Sequence, residues 1–224
     1  MCKGADKFNC DLSQWDVSNA ENMQGMFSGC TSFTSDLSQW NVRKCTTFNS
    51  MFCLCENFES DLSQWKVDSC LNFSYMFAGA NKFKSDLKNW HVDSGETFRS
   101  MFNGCFNFNS DLSEWHVDMA NDLSHMFSMC YNFNSDLSKW HVDRCEDFSF
   151  MFHKCHHFNS DISNWNIGEG TTFEHMFEDC FIFNQDISRW DMSFAATNMS
   201  AMFKNCKSLT YDLSDFKKGL NHYF

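Results

Sequence analysis

The chain contains no proline and no glycine-rich stretch. A linker between domains is therefore not expected, and the 224 residues read as one elongated unit. No run approaches the roughly 18 apolar residues that a membrane span needs. The opening stretch MCKGADKFNC lacks the apolar centre of a signal peptide. On these grounds the expected location is cytoplasmic or particle-associated rather than secreted. There is no glycine-rich phosphate loop, no nucleophile elbow and no paired-cysteine zinc motif. Cys53 and Cys55, separated by one residue, do not supply such a motif. The expectation is a chain that is not an enzyme and carries no cofactor.

The net charge is -12, but acidity here says little about partners. Nine aspartates fall in one repeating column, so the rest of the surface is nearly balanced. No basic stripe exists of the kind that nucleic-acid binding requires, and nucleic acid is not an expected partner.

What the chain does have is a period. The stretch DLSQW at Asp11–Trp15 returns every 25 residues. Asp11, Asp36, Asp61, Asp86, Asp111, Asp136, Asp161 and Asp186 begin it; Trp15, Trp40, Trp65, Trp90, Trp115, Trp140, Trp165 and Trp190 end it. A period held over eight copies predicts units that stack on one another to bury a shared core. The aspartates are expected to fix a turn by accepting backbone N–H groups two residues on. The tryptophans, with Phe33, Phe58 and their equivalents, are expected to form the core. Residues 1–7 read as a short lead-in, 8–208 as eight repeats and 209–224 as a degenerate closing repeat. In that last copy Phe216 replaces the tryptophan and Lys218 takes the next strand position.

Within a copy, Trp15 and Val17 sit two apart, which predicts a short strand with residues 14, 16 and 18 facing away from the core. Met23, Met26, Phe27 and Cys30 are spaced i, i+3, i+4, i+7, which predicts a helix of two or three turns capped by Glu21 and Asn22. The fold expectation is therefore an α/β solenoid of strand–helix repeats with a parallel sheet on one side. Cysteines share columns with alanine and glycine (Cys55, Ala80, Cys105; Cys70, Gly95, Ala120), so they read as small buried fillers, reduced rather than bridged.

Read from Leu37, one copy is LxxWxVxxCxxFxxMFxxC. This resembles a cysteine-containing leucine-rich repeat with tryptophan in its second leucine position. More specifically, FNxDLSxWxV…MFxxC is similar to the BspA-like leucine-rich-repeat surface proteins, over residues 8 to about 216. The resemblance implies a leucine-rich-repeat arc with strands on its concave side and a role in adhesion or binding. Members are commonly secreted or lipid-anchored, whereas this sequence shows no leader or lipobox, and Cys2 follows Met1 directly. Related repeats in protists and large DNA viruses imply an alternative role as a structural component of a virus particle.

Outward strand residues would form the grid that meets a partner. Three neighbouring copies carry the triplet HVD there: His91 and Asp93; Glu114, His116 and Asp118; Lys139, His141 and Asp143. At a strand spacing of about 4.8 Å these rows form a ladder of imidazole and carboxylate. The leading expectation is contact with another protein, sensitive to pH near the imidazole range. A divalent metal held by the ladder is the alternative, since both groups ligate zinc or nickel. Self-assembly through an uncapped N-terminal end is a further expectation for partners.

Overall fold

A computed structural model of the chain describes residues 4–191 and 198–211. The direction of its backbone hydrogen bonds decides the architecture. In the second repeat, Phe48, Ser50, Phe52 and Leu54 donate their N–H groups to the carbonyls of Asn72, Ser74, Met76 and Ala78, at 2.7–3.0 Å. Each acceptor lies in the next repeat, so consecutive repeats are stacked layers. We number them from Phe8, with layer 1 at 8–32 and layer 8 at 183–208. The stretch that carries these bonds (22–29 in layer 1) we call the rung. The same four donors recur from Met23, Gly25, Phe27 and Gly29 in layer 1 to Phe173, His175, Phe177 and Asp179 in layer 7. Seven isolated parallel bridges, from Asn22–Thr47 to Thr172–Asn198, keep the layers in register.

This arrangement corrects the expected α/β class. Among the described residues there is no helix and no extended strand, hence no strand–helix repeat and no continuous parallel sheet. Each rung passes twice through the left-handed region, at Ser50 (φ 55°) and Leu54 (φ 59°) and at their equivalents in the other layers. A right-handed helix does not admit such residues. Gly25, Gly29, Gly79 and Gly104 occupy these same two columns, where a missing Cβ removes the penalty.

The helical spacing of apolar residues has another origin. Met51 donates back to the Phe48 carbonyl at 2.9 Å, and Cys55 to that of Phe52 at 3.0 Å. Each of these tight turns returns its first and last residue to the same side. Phe48, Met51, Phe52 and Cys55 are consequently all fully buried. Two consecutive turns thus imitate the i, i+3, i+4, i+7 signature.

The front of each layer, where a strand was expected, is also built from turns. Trp40 N–H bonds to Leu37 and Cys45 N–H to Val42, and no backbone-to-backbone bond joins residues 36–45 to 61–70. Side chains hold the layers together there instead. Ser60 Oγ accepts the Leu37 N–H at 2.9 Å and donates to Asp36 Oδ1 at 3.2 Å. Trp65 Nε1 donates to the Leu37 carbonyl at 2.9 Å. The indoles stack from Trp40 to Trp190 at 6.3–6.5 Å, their planes parallel to within a few degrees.

Behind the indoles, Phe27, Phe52, Phe77, Phe102, Phe127, Phe152 and Phe177 form a second column and Phe33 to Phe183 a third. Trp40 to Trp190 are all buried, but Trp15 in the first layer is 48% exposed and departs from the expected core column. Nine buried cysteines are free thiols, and several donate to a carbonyl of the preceding layer, as Cys55 does to Phe27. Of the expected closing repeat, Asp212, Phe216 and Lys218 lie outside the described residues, as do Phe194, Ala195 and Ala196.

Candidate functional site

The front turn sets out the face on which the HVD residues sit. In every layer the Asp that opens it accepts the backbone N–H two residues on: Ser63 on Asp61 Oδ1 and Ser138 on Asp136 Oδ1, each at 2.9 Å. These bonds hold the Asp61 and Asp136 carboxyls below the ordinary carboxylate value. The turn points Leu, Trp and Val inward and leaves columns 14, 16 and 18 outside. His91, Asp93, Glu114, His116, Asp118, Lys139, His141 and Asp143 are all exposed.

Their contacts are loose within a layer and tighter between layers. His91 Nδ1 lies 4.0 Å from Asp93 Oδ2 and His116 Nδ1 3.8 Å from Asp118 Oδ2, beyond hydrogen-bond reach. Between layers, Lys139 Nζ meets Glu114 Oε1 at 2.9 Å, and Asn166 Nδ2 donates to Asp143 Oδ1 at 2.6 Å. Lys88 reaches Asp111 Oδ2 at 2.6 Å and draws that carboxyl down to about 2. The Lys139 bond likewise lowers Glu114. The His91 and His116 imidazoles each keep to the carboxylate of their own layer, and no group of three or more His, Cys, Asp or Glu among the described residues converges on a metal-sized position.

A denser set of charged groups lies on the rungs, which the sequence reading had placed in helices. Arg99 donates to Tyr75 Oη at 2.9 Å and Ser124 Oγ at 3.0 Å, and stands 3.6 Å from Asp122 and 4.0 Å from Asp147. Ser128, His153, Glu178 and Lys204 form one column in layers 5 to 8. Ser128 Oγ is 3.2 Å from His153 Nδ1, and His153 Nε2 is 3.6 Å from Glu178 Oε2. Glu178 also takes a bond from His175 Nδ1 and another from Lys204 Nζ at 2.6 Å. Burial pushes the Glu178 carboxyl up, but the Lys204 and His175 bonds outweigh it and the net shift is down. Burial, aided by the charge of Lys154, lowers His153; burial and Arg99 lower His125.

Serine, histidine and glutamate in series are the residue types of a hydrolytic relay. Here the hydroxyl is out of reach, because Ser128 is only 2% exposed. A nucleophile must meet its substrate; the column instead ties layers together through the Ser128–His153 and Lys204–Glu178 hydrogen bonds, with His153 and Glu178 in charge contact at 3.6 Å. Two shallow surface depressions lie elsewhere, around Glu59–Asn89 and around Ser163–Asp191.

One signal in the sequence points to the rungs. Gly4, Gly29, Gly79 and Gly104 share a column, and glycine recurring at one register marks a left-handed backbone. Placing the left-handed residues correctly turns rung positions 22, 24 and 28 away from the apolar columns, although some of their equivalents, such as Ser124 and Ser128, are buried between layers.

A family model described as "Mycoplasma protein of unknown function, DUF285" matches residues 1–115, 36–140 and 96–216. No curated protein matches the chain. Among solved structures, a leucine-rich repeat protein from Bacteroides ovatus ATCC 8483 is similar at 11% identity, over 93% of this chain and 67% of its own, with a TM-score of 0.35. The structure of a TLR13–ssRNA13 complex is similar at 13% identity over 86% of this chain and 41% of that chain, with a TM-score of 0.22. Superpositions this loose carry no argument.

Proposed function

The chain belongs to the family described as "Mycoplasma protein of unknown function, DUF285", and from that footing we propose that it is a non-catalytic repeat scaffold that binds another protein through its front face. One observation carries the reading: in layers 2 to 6 the front turn buries Leu, Trp and Val and leaves a row of polar side chains outside, in register with its neighbours. The stacked layers fix the backbone of this grid before any partner arrives, so binding need not order the chain. Its breadth suits a protein surface rather than a small molecule. Layers 4 to 6 are the proposed centre, where His91, His116 and His141 stand beside carboxylates and Lys139.

The test is a triple substitution, His91→Ala, His116→Ala and His141→Ala. All three side chains are exposed, so the melting temperature is expected to stay within a few degrees of wild type. Affinity for a protein captured by the native chain is expected to fall by about tenfold or more, a change of roughly 1.4 kcal/mol. Undiminished binding by a folded triple variant would remove this face from the account.

A further inference from the structure

The junction between layers 7 and 8 is bonded unlike any other. Three carboxylates of layer 7 each grip one side chain of layer 8. Glu174 Oε2 accepts from Asn198 Nδ2 at 3.0 Å, Glu178 Oε1 from Lys204 Nζ at 2.6 Å, and Asp179 Oδ1 from Asn205 Nδ2 at 2.7 Å. No other pair of rungs among the described residues is joined by three acids. The grip coincides with a slip in register, since 26 residues rather than 25 separate Thr172 from its bridge partner Asn198. Phe203 and Cys206 are only half-buried where their equivalents in layers 2 to 7 are fully buried, although Phe203 stacks on Phe177 at 5.6 Å.

Titratable groups crowd the centre of this grip from three layers. Glu178 faces His153 from layer 6, His175 from its own layer and Lys204 from layer 8. His175 Nε2 also stands 3.6 Å from Glu174 Oε1, and its ring stacks on Phe150, which stacks in turn on His125. Around His153 lie Ser128, Lys154 and Asp179 besides Glu178. Every buried side-chain nitrogen or oxygen among the described residues has a partner, so a proton added here must displace a bond or leave a charge without one.

We propose that this cluster is a proton-operated latch, which holds the 198–205 rung on the stack at neutral pH and releases it in acid, uncovering Phe177 and its neighbours as an apolar end face. The proton balance runs through Glu178, because the charged groups acting on His153, namely Lys154, Glu178, Asp179 and His175, all belong to layers 6 and 7 rather than to the 198–205 rung. Glu178 is held below its ordinary 4.5, so its contribution is present above that value and is lost as pH falls through the closed-state value. Once Glu178 is neutral, Lys204 loses its charged partner.

Hydrogen exchange on the full chain, corrected for intrinsic rates, tests the latch. The amides of Phe177 and Asp179 donate to Met202 and Lys204, and those of Phe77 and Gly79 make the same bonds inside the stack. As pH falls from 7 into the ordinary carboxylate range, to about 4, protection at Phe177 and Asp179 is expected to fall about tenfold or more, while Phe77 and Gly79 hold. Glu178→Gln is expected to lower protection at Phe177 already at pH 7 and to flatten its pH dependence. Lys204 is exposed, so Lys204→Met spares the fold and is expected to lower protection at pH 7 as well. Equal responses in both layers would overturn the proposal, as would wild-type protection at Phe177 in both variants.

Discussion

Trp65 and Leu37, 28 residues apart, are joined by a single hydrogen bond from the indole Nε1 to the Leu37 carbonyl, 2.9 Å long. The same bond recurs from Trp40 to Trp190, always to the preceding layer. It gives the tryptophan column a reason beyond its bulk. Phenylalanine would fill much of the space, but only indole can reach back with a donor. Trp65→Phe is therefore expected to cost about 1–2 kcal/mol from the lost donor bond. Trp65→Ala, which also opens a cavity in a fully packed column, is expected to cost about 3–5 kcal/mol. Urea unfolding monitored by circular dichroism reads both, and an unchanged stability in Trp65→Phe would deny the bond any role.

Asp61 holds its own turn and the next layer at once, accepting from Ser63 N–H at 2.9 Å and from Ser85 Oγ at 3.1 Å. Asp61→Ala is expected to lose about 1 kcal/mol in unfolding free energy, and Asp61→Asn less, because the amide oxygen still accepts. The charge-dependent part follows pH. Asp36, Asp61 and Asp136 are held below 3.8, chiefly by backbone N–H groups, so their contribution stands above that value and drains away as pH falls through the folded-state value. A stability profile that stayed flat down to pH 2 would contradict this.

The left-handed columns make opposite predictions for two touching residues. Gly79 has φ 72°, and a Cβ there would lie 2.8 Å from Leu54 Cδ2. Leu54 is itself left-handed (φ 59°) and 54% exposed. Gly79→Ala is expected to destabilise by about 1–2 kcal/mol, whereas Leu54→Gly is expected to be neutral or to stabilise by up to about 1 kcal/mol. Thermal melts of the two variants decide it; a stabilising Gly79→Ala would mean that the rung is not turned as described.

These two residues also mark where the sequence was legible and where it was not. The 25-residue period, the aspartate turn and the apolar columns could be read because they depend on side-chain type at a fixed register. The rungs could not be read from apolar spacing, because two consecutive turns bury Phe48, Met51, Phe52 and Cys55 on the spacing of a helix. Backbone handedness separates the alternatives, and only the shared column of Gly29, Gly79 and Gly104 declared it. Misplacing the rungs hid Glu178 and His153, whereas His91, His116 and His141 stood out because their triplet repeats.

The thiols offer a prediction that needs no mutation. Burial raises Cys55 and Cys70 to about 12 and lifts Cys105, Cys130, Cys155 and Cys180 further still, so these groups carry almost no thiolate at neutral pH. In the native protein a thiol reagent is expected to modify the exposed Cys10 quickly and the nine buried cysteines only on unfolding. Mass spectrometry of labelled peptides gives the order, and prompt labelling of Cys130 or Cys155 would show that the layers are not closed.

Hydrogen-bond scalar couplings across the rungs, measured by NMR on the labelled chain, test the stacked-layer architecture most directly. The stack predicts a coupling from the Phe52 amide nitrogen to the Met76 carbonyl carbon, with Phe77 coupled to Met101 in the next layer. A coupling from Phe52 to the Phe48 carbonyl instead, the mark of a helix, would contradict the layers and the faces built on them.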